Sequence, residues 1–374
     1  MQAATTYHGA LSPSDYPDIV DVLRRRGRFV TCYMNTDVAT EDAGRRAGTR
    51  WKDLRRELAD KGASPEDMEA TRDALQSVRR AGPAACAVVS DGKVLLAEVG
   101  LSRVQKESAF VGALPAVGQL LLWRQHDLPY ITVACDHAGA DICVLGPGES
   151  FSTTAGDPDR HDPELHKVPS GGWSHRRYQE RVENAWERNA KDVTDALERL
   201  VKAVSPRLVI YGGEPRACAL LEENSGAELK NLLKHAQLSR AADGSDGLHE
   251  VHRAVETAVA LDTAQLLAQA RELGTKGMTV GGPGAVLEAL TASQVDVLLV
   301  HEGPQDQRTA FLSRSPLIAS LERGAIDEFD AATDIVESRL TDVALAAAFL
   351  TGASVRMVPA STVDHGLRGL LRYR

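Results

Sequence analysis

No run of about 18 or more consecutive apolar residues occurs in the sequence, which excludes a membrane-spanning helix. The first twenty residues have no basic segment leading into an apolar one, so no secretory signal is expected. Cysteine is scarce: Cys32, Cys86, Cys135, Cys143 and Cys218 are odd in number, scattered and free of any Cys-x-x-Cys pair. That argues against a disulfide framework or a zinc ribbon, and it predicts buried reduced thiols in a cytosolic protein. Positive charge is also short, with 43 Lys and Arg against 52 Asp and Glu and a net charge of −9. A protein that coats nucleic acid through bulk charge is therefore excluded, while local basic patches remain open. No Gly-x-Ser-x-Gly nucleophile elbow is present. Val280-Gly281-Gly282-Pro283-Gly284 lacks the Lys-Ser/Thr of a P-loop and the spacing of a dinucleotide fingerprint. That piece and Gly212-Gly213 are read as structural turns, and no cofactor is expected.

What is present is globular. Hydrophobic residues are 43% and charged residues 25% of a 374-residue chain. At about 100–200 residues per domain this length predicts two or three domains. Short β-branched runs alternate with charged helical stretches, the pattern of an α/β fold. Strands are expected at Phe29–Met34, Leu208–Tyr211, Val295–Val300 and, as the last strand, Val355–Val358. Asp91-Gly92 between apolar runs marks one hairpin. Tyr130–Cys135 and Asp141–Leu145, joined by five residues, mark a second. Helices are expected from Ala43 to Lys61, after the Ser64-Pro65 start, from Tyr178 to Ala203, as two stretches within His249–Leu273, and over Gly284–Leu290 and Thr341–Leu350. Gly146 to Gly172 reads as a long loop with at most one short strand, and long loops in compact domains are often functional.

Candidate chemistry is sparse. His161, Asp162, Glu164 and His166 cluster in that loop without metal-ligand spacing, and His301-Glu302 reads as a solvated strand end. No metal site is expected. Two segments are locally basic. Arg45, Arg46, Arg50, Lys52, Arg55 and Arg56 lie on the helix after Asn35-Thr36, although acidic neighbours nearly cancel them as far as Arg80. From His166 to Lys191 there are six basic residues against three acidic ones. This second segment opens with Gly171-Gly172-Trp173-Ser174-His175-Arg176-Arg177. Glycines permit close approach, an indole can stack on a base and guanidiniums pair with phosphate, so the junction suits an RNA surface.

This segment resembles the central-domain loop of the archaeal/eukaryotic class 1 peptide-release-factor superfamily, in which Gly-Gly-Gln precedes a long helix. Here Trp173 stands where the Gln belongs. Arg207–Arg216 is similar to the family's strand and glycine turn, Gly284–Leu290 with Val295–Glu302 to its C-terminal helix and strand, and Gly366–Tyr373 to the ending of its bacterial branch. The nearest resemblance is to Balon-type ribosome hibernation factors. It implies three domains: an α/β N-terminal domain (1–128), a ribonuclease H-like middle domain (129–275) and an L30e-like C-terminal domain (276–374). No stop-codon motif of the Asn-Ile-Lys-Ser type is found in the first domain. An indole has one N–H donor and no carbonyl acceptor, so Trp173 should stack or plug rather than organise a hydrolytic water.

The resemblance therefore implies a non-enzymatic factor that occupies the A site of the 70S ribosome, with elongation factor Tu and GDP as partner. The factor would be monomeric in solution, cytoplasmic and away from membranes. Gly171, Gly172, Trp173, His175, Arg176, Arg177 and Arg181 would meet 23S rRNA at the peptidyl transferase centre. Asn35, Thr36, Thr40, Arg45, Arg46 and Arg50 would meet 16S rRNA at the decoding centre. Two rival readings stand beside it. One is a peptidyl-tRNA hydrolase or ribosome rescue factor with His175 as base. The other is a stress-linked adaptor that acts through the L30e-like domain.

Overall fold

Phe29-Val-Thr-Cys-Tyr-Met-Asn35 is apolar at almost every position, which suits a strand covered on both faces, and all seven residues of this strand are buried. The computed structural model describes residues 9–36, 43–78, 82–100, 102–146, 151–156, 173–238, 247–301, 308–328, 334–359 and 363–373. The chain divides into two units, Met1–His126 with Asp262–Arg374, and Asp127–Leu261. The first unit opens with α1 (Pro17–Arg24), β1 (Phe29–Asn35), α2 (Ala43–Asp60), α3 (Pro65–Val78), β2 (Ala84–Ser90), β3 (Lys93–Gly100), β4 (Ser108–Gly112) and α4 (Gly118–His126). Its sheet has the antiparallel order β3-β2-β1-β4. Val30, Cys32 and Met34 pack with Leu54, Leu58 and Leu75 of α2 and α3. Phe29 and Tyr33, on the alternate positions, pack with Leu120 and Trp123 of α4. The β2–β3 hairpin turns through Asp91 and Gly92, both at positive φ, as an Asp-Gly turn requires.

The second unit contains β5 (Tyr130–Asp136), β6 (Gly139–Leu145), β7 (Phe151–Gly156), α5 (Trp173–Val204), β8 (Leu208–Gly213), α6 (Pro215–Asn224), α7 (Ala227–Leu232), β9 (Leu233–His235) and the start of α8 (Leu248–Thr275). The sheet order is β7-β6-β5-β8-β9, with β5, β8 and β9 parallel and β6 and β7 antiparallel. The β5–β6 connection is two residues rather than the expected five, because pairing continues to Asp136↔Gly139. The two helical stretches expected within His249–Leu273 are one continuous helix, since nothing between them breaks the backbone. Its first half packs Val251, Ala254 and Val255 on the second unit's core, and its second half packs Leu266 and Ala270 on the first unit's.

The first unit resumes with β10 (Thr279–Gly281), α9 (Pro283–Thr291), β11 (Val295–His301), β12 (Thr309–Arg314), β13 (Leu317–Ser320), α10 (Arg323–Asp327), β14 (Ile335–Arg339), α11 (Leu340–Leu350), β15 (Ser354–Val358) and β16 (Leu367–Leu371). One sheet has the order β10-β16-β11-β15, and a separate antiparallel sheet has the order β13-β12-β14. Val355–Val358 is therefore not the last strand. β16 follows it and inserts antiparallel between β10 and β11. A single hydrophobic cluster joins Ile19, Leu23, Leu120 and Trp123 to Val343, Ala347 and Met357. The first and last thirds of the chain thus share one core.

Candidate functional site

The long helix α5 is held by a narrow stripe. Asn189, Val193, Thr194, Leu197 and Val201 are buried at helical spacing, while Arg188, Lys191, Asp192, Asp195, Arg199 and Lys202 are exposed. The buried positions pack on Ile131, Val133, Ile142 and Val209 of the sheet. The Asn189 side-chain amide also donates to the His137 carbonyl at 3.1 Å, which ties the helix to the β5–β6 turn. At 32 residues the helix is about 48 Å long, and among the described side chains those of its last half provide this anchorage. It starts at Trp173, five residues before the expected Tyr178. Trp173, His175, Arg176, Arg177 and Arg181 thus fall in its first turns, with Arg177 and Arg181 one turn apart on the same face. Their side chains, that of Trp186, and Gly171 and Gly172 lie outside the described residues, as do His161, Asp162, Glu164 and His166. Among the described residues no group of three His, Cys, Asp or Glu is placed to hold a metal.

Gly212 and Gly213 form the turn between β8 and α6. Gly213 has φ +129°, and a Cβ there would collide with the Cys135 carbonyl oxygen, as one at Gly212 would with that of Ala236. The glycines are needed because three backbone segments meet at this point. Glu214 N–H donates to the same Cys135 carbonyl at 2.9 Å, and the Glu214 carboxylate accepts from His137 N–H at 3.0 Å. Cys135 and Cys218 lie with their sulfurs 3.6 Å apart. Their hydrogen bond lowers the Cys218 pKa and, with burial, raises that of Cys135. All five cysteines are free; Cys143 is half-buried and the others are buried.

In the first unit the expected decoding-centre residues separate by role. The Asn35 side chain is buried, donating to the Val104 carbonyl at 3.0 Å and accepting from Val104 N–H at 2.9 Å. Thr36 is buried and its hydroxyl donates to the Gly82 carbonyl. Both therefore anchor the end of β1 through these side-chain hydrogen bonds. Arg50 reaches back to them, donating to the Asn35 carbonyl at 3.2 Å and pairing with Glu107 at 3.1 Å. Arg46, Lys52, Arg55 and Arg56 of α2 are exposed, while Leu54 and Leu58 are buried. Thr40 and the Arg45 side chain lie outside the described residues.

One basic feature was missed in the sequence. Arg24, Arg25, Arg26 and Arg28 are all exposed where α1 ends and turns through Gly27 into β1. Arg26 pairs with Asp334 at 3.1 Å and Arg28 donates to the Lys61 carbonyl at 2.7 Å. Four arginines in five residues were the available signal, hidden by the negative total.

Comparison with known proteins gives the class first. The match lies in the middle of the chain and is to a bacterial family of release-factor type. Residues 129–274 match the family model described as bacterial archaeo-eukaryotic release factor family 2. An uncharacterised protein of Mycobacterium tuberculosis, in two strains, is 26% identical over 362 residues, covering 93% of this chain and 94% of its own. Among solved structures, Archaeoglobus fulgidus Pelota aligns at 13% identity over 98% of this chain and 93% of its own, with a TM-score of 0.35. An archaeal translation termination factor aligns at 14% identity over 98% and 100%, with a TM-score of 0.26.

Proposed function

We propose that this protein acts on the ribosome as a hibernation factor. It occupies the A site from the decoding centre to the peptidyl transferase centre and blocks translation without cleaving peptidyl-tRNA. The observation that carries this reading is the family match over residues 129–274 combined with Trp173 at the position of the release-factor Gln. A member of a release-factor family that lacks the water-positioning amide retains the shape for the site and loses the chemistry.

In this reading the middle domain, 129–275, presents Gly171, Gly172, Trp173, His175, Arg176, Arg177 and Arg181 to 23S rRNA at the end of a helix whose other half is packed on a sheet. The strand order β7-β6-β5-β8-β9 supports the ribonuclease H-like assignment of this domain. The N-terminal domain, 1–128, turns Arg45 and Arg46 toward 16S rRNA. Thr40 meets it as well, while Asn35 and Thr36 fix the end of β1 and Arg50 braces that end. The C-terminal domain, 276–374, is L30e-like, and α9 and α11 beside the sheet β10-β16-β11-β15 support that assignment. It meets elongation factor Tu with GDP, and the free protein is a monomer.

Sedimentation of the purified protein with vacant 70S ribosomes, at two salt concentrations and with or without elongation factor Tu and GDP, tests this. Co-migration that strengthens with the elongation factor is expected. Trp173→Ala should weaken binding about 5- to 150-fold, the loss of one stacked base at roughly 1–3 kcal/mol. Absence of co-migration under every condition would sink the reading. Turnover of peptidyl-tRNA that depends on His175 would replace it with a hydrolase.

A further inference from the structure

We propose that Cys135 and Cys218 form a peroxide-reactive thiol pair, which hydrogen peroxide converts to a disulfide. Cys135 lies near the end of β5, Cys218 closes the first turn of α6, and their sulfurs are 3.6 Å apart. A disulfide holds its sulfurs about 2.05 Å apart, so the two must close by about 1.5 Å. The backbone keeps them within that reach. Cys135 pairs with Gly213 across β5 and β8, and Glu214 N–H donates to the Cys135 carbonyl at 2.9 Å. Cys218 N–H in turn donates to the Glu214 carbonyl at 3.0 Å. A short run of backbone hydrogen bonds therefore leads from one cysteine to the other.

A small cavity reaches this pair. Its volume is about 10 Å³, and it is lined from the β5–β6 turn, α5 and α6. That is close to the roughly 10–15 Å³ that one water molecule needs. Cys135 lines it, together with the exposed His137 and the buried Asn189. The Asn189 amide nitrogen donates to the His137 carbonyl, which fixes which end of the amide is the oxygen. That oxygen is buried and accepts no hydrogen bond among the described residues. An acceptor lacking its donor, beside a thiol, suits a small molecule that donates a hydrogen bond and accepts electrons. Hydrogen peroxide does both, with one oxygen in the cavity and the other toward the exposed His137 edge.

The two thiols also assist each other. The hydrogen bond with Cys135 lowers the Cys218 pKa against burial and the Glu222 carboxylate. The positive end of α6 acts in the same direction. The first proton lost belongs to the pair, and the proton that stays can sit on either sulfur. With it on Cys218, the Cys135 thiolate attacks one peroxide oxygen. The S–O bond forms, the O–O bond breaks, and hydroxide leaves and takes a proton from solvent. Cys218 then attacks the Cys135 sulfur. The S–S bond forms, the S–O bond breaks, and hydroxide departs with the Cys218 proton as water. Two thiols are oxidised and one peroxide is reduced to two waters. The proposal does not rest on the ribosome reading.

The test exposes the reduced full chain to hydrogen peroxide, unfolds it in an alkylating reagent and maps the thiols by mass spectrometry. Of the five thiols, Cys135 and Cys218 are expected to disappear together, as one linked peptide pair lighter by two hydrogens. Dithiothreitol should restore both. Their loss should run at least about tenfold faster than that of the half-buried Cys143, because the thiolate is the nucleophile. In Cys218→Ser the reaction should stop at a Cys135 sulfenic acid, which dimedone traps; the wild-type map decides alone if that variant does not fold. Oxidation of Cys143 ahead of the pair, oxidation of either cysteine without the link between them, or five unreacted thiols at millimolar peroxide would overturn the proposal.

Discussion

At the scale of single residues, backbone geometry and charge pairing give separable expectations. Gly213 combines a left-handed φ with a Cβ position already filled by the Cys135 carbonyl oxygen. Gly213→Ala should therefore cost about 2 kcal/mol or more in chemical denaturation. Gly281, with nothing within 4 Å of its Cβ position and no positive φ, should accept Ala within about 0.5 kcal/mol. Among charges, Arg124 sits between Asp18 and Glu98. Burial alone would raise the Asp18 pKa, but hydrogen bonding and attraction to Arg124 outweigh it and hold the carboxyl below its ordinary 3.8. The sign follows from linkage. A depressed carboxyl stabilises the fold above its unfolded value, and that contribution disappears as pH falls through the folded value. The stability gap between wild type and Asp18→Asn should accordingly be present at neutral pH and close progressively below about pH 3.8. A gap that stays constant into acid would show that the pair is not the cause.

At the scale of elements, local rules were legible wherever the signal was local. Ser64-Pro65 was readable as a helix start, and the Ser64 hydroxyl oxygen does accept from Asp67 N–H at 3.0 Å. Asp67 in turn accepts from Gly92 N–H at 2.7 Å, which ties the helix to the Asp-Gly turn. Ser64→Ala should cost about 1 kcal/mol, measured by denaturant titration. β12, β13 and β14 were not legible. Their sequences are short and half-polar; Ser313 is buried, and the half-buried Arg314 donates to the distant Leu23 and Ala113 carbonyls. The candidate contact residues show the same divide. The arginines of α2 and α5 could be read from composition, but the burial of Asn35 and Thr36 depends on Val104 and Gly82, about 70 and 46 residues away in the chain. The Arg24–Arg28 element adds a separate expectation. If it meets a phosphate backbone, replacing Arg24 and Arg25 with Gln should lower the salt slope of ribosome binding by about 1–2, at up to roughly 0.9 per lost phosphate contact. An unchanged slope would exclude that surface from the interface.

At the scale of the whole molecule, the first and last thirds of the chain depend on each other at one sheet edge. β15 pairs with β11 on one side only, and its outer edge is covered by residues from the beginning of the chain. Leu11 exchanges two backbone hydrogen bonds with Val355, at 2.7 and 2.9 Å. Two residues along, the Gln125 side chain donates to the Met357 carbonyl at 3.0 Å and accepts from Met357 N–H at 2.9 Å. Gln125 and Met357 are both buried, so an amide side chain stands in for the missing strand. Removing it leaves two buried backbone groups without partners, each costing about 1–3 kcal/mol. Gln125→Ala should therefore destabilise the first unit by about 2–4 kcal/mol. A fragment of residues 1–128 should lose its cooperative melt altogether, since Leu120 and Trp123 would face water instead of Val343 and Met357. Calorimetry of Gln125→Ala and of the fragment checks both at once. A cooperative transition in the isolated fragment would mean that the N-terminal segment is an autonomous domain that merely rests on the C-terminal one. Loss of that transition would mean that the two were selected as a single body, in which a substitution at the α4–β15 contact is felt at both ends of the chain.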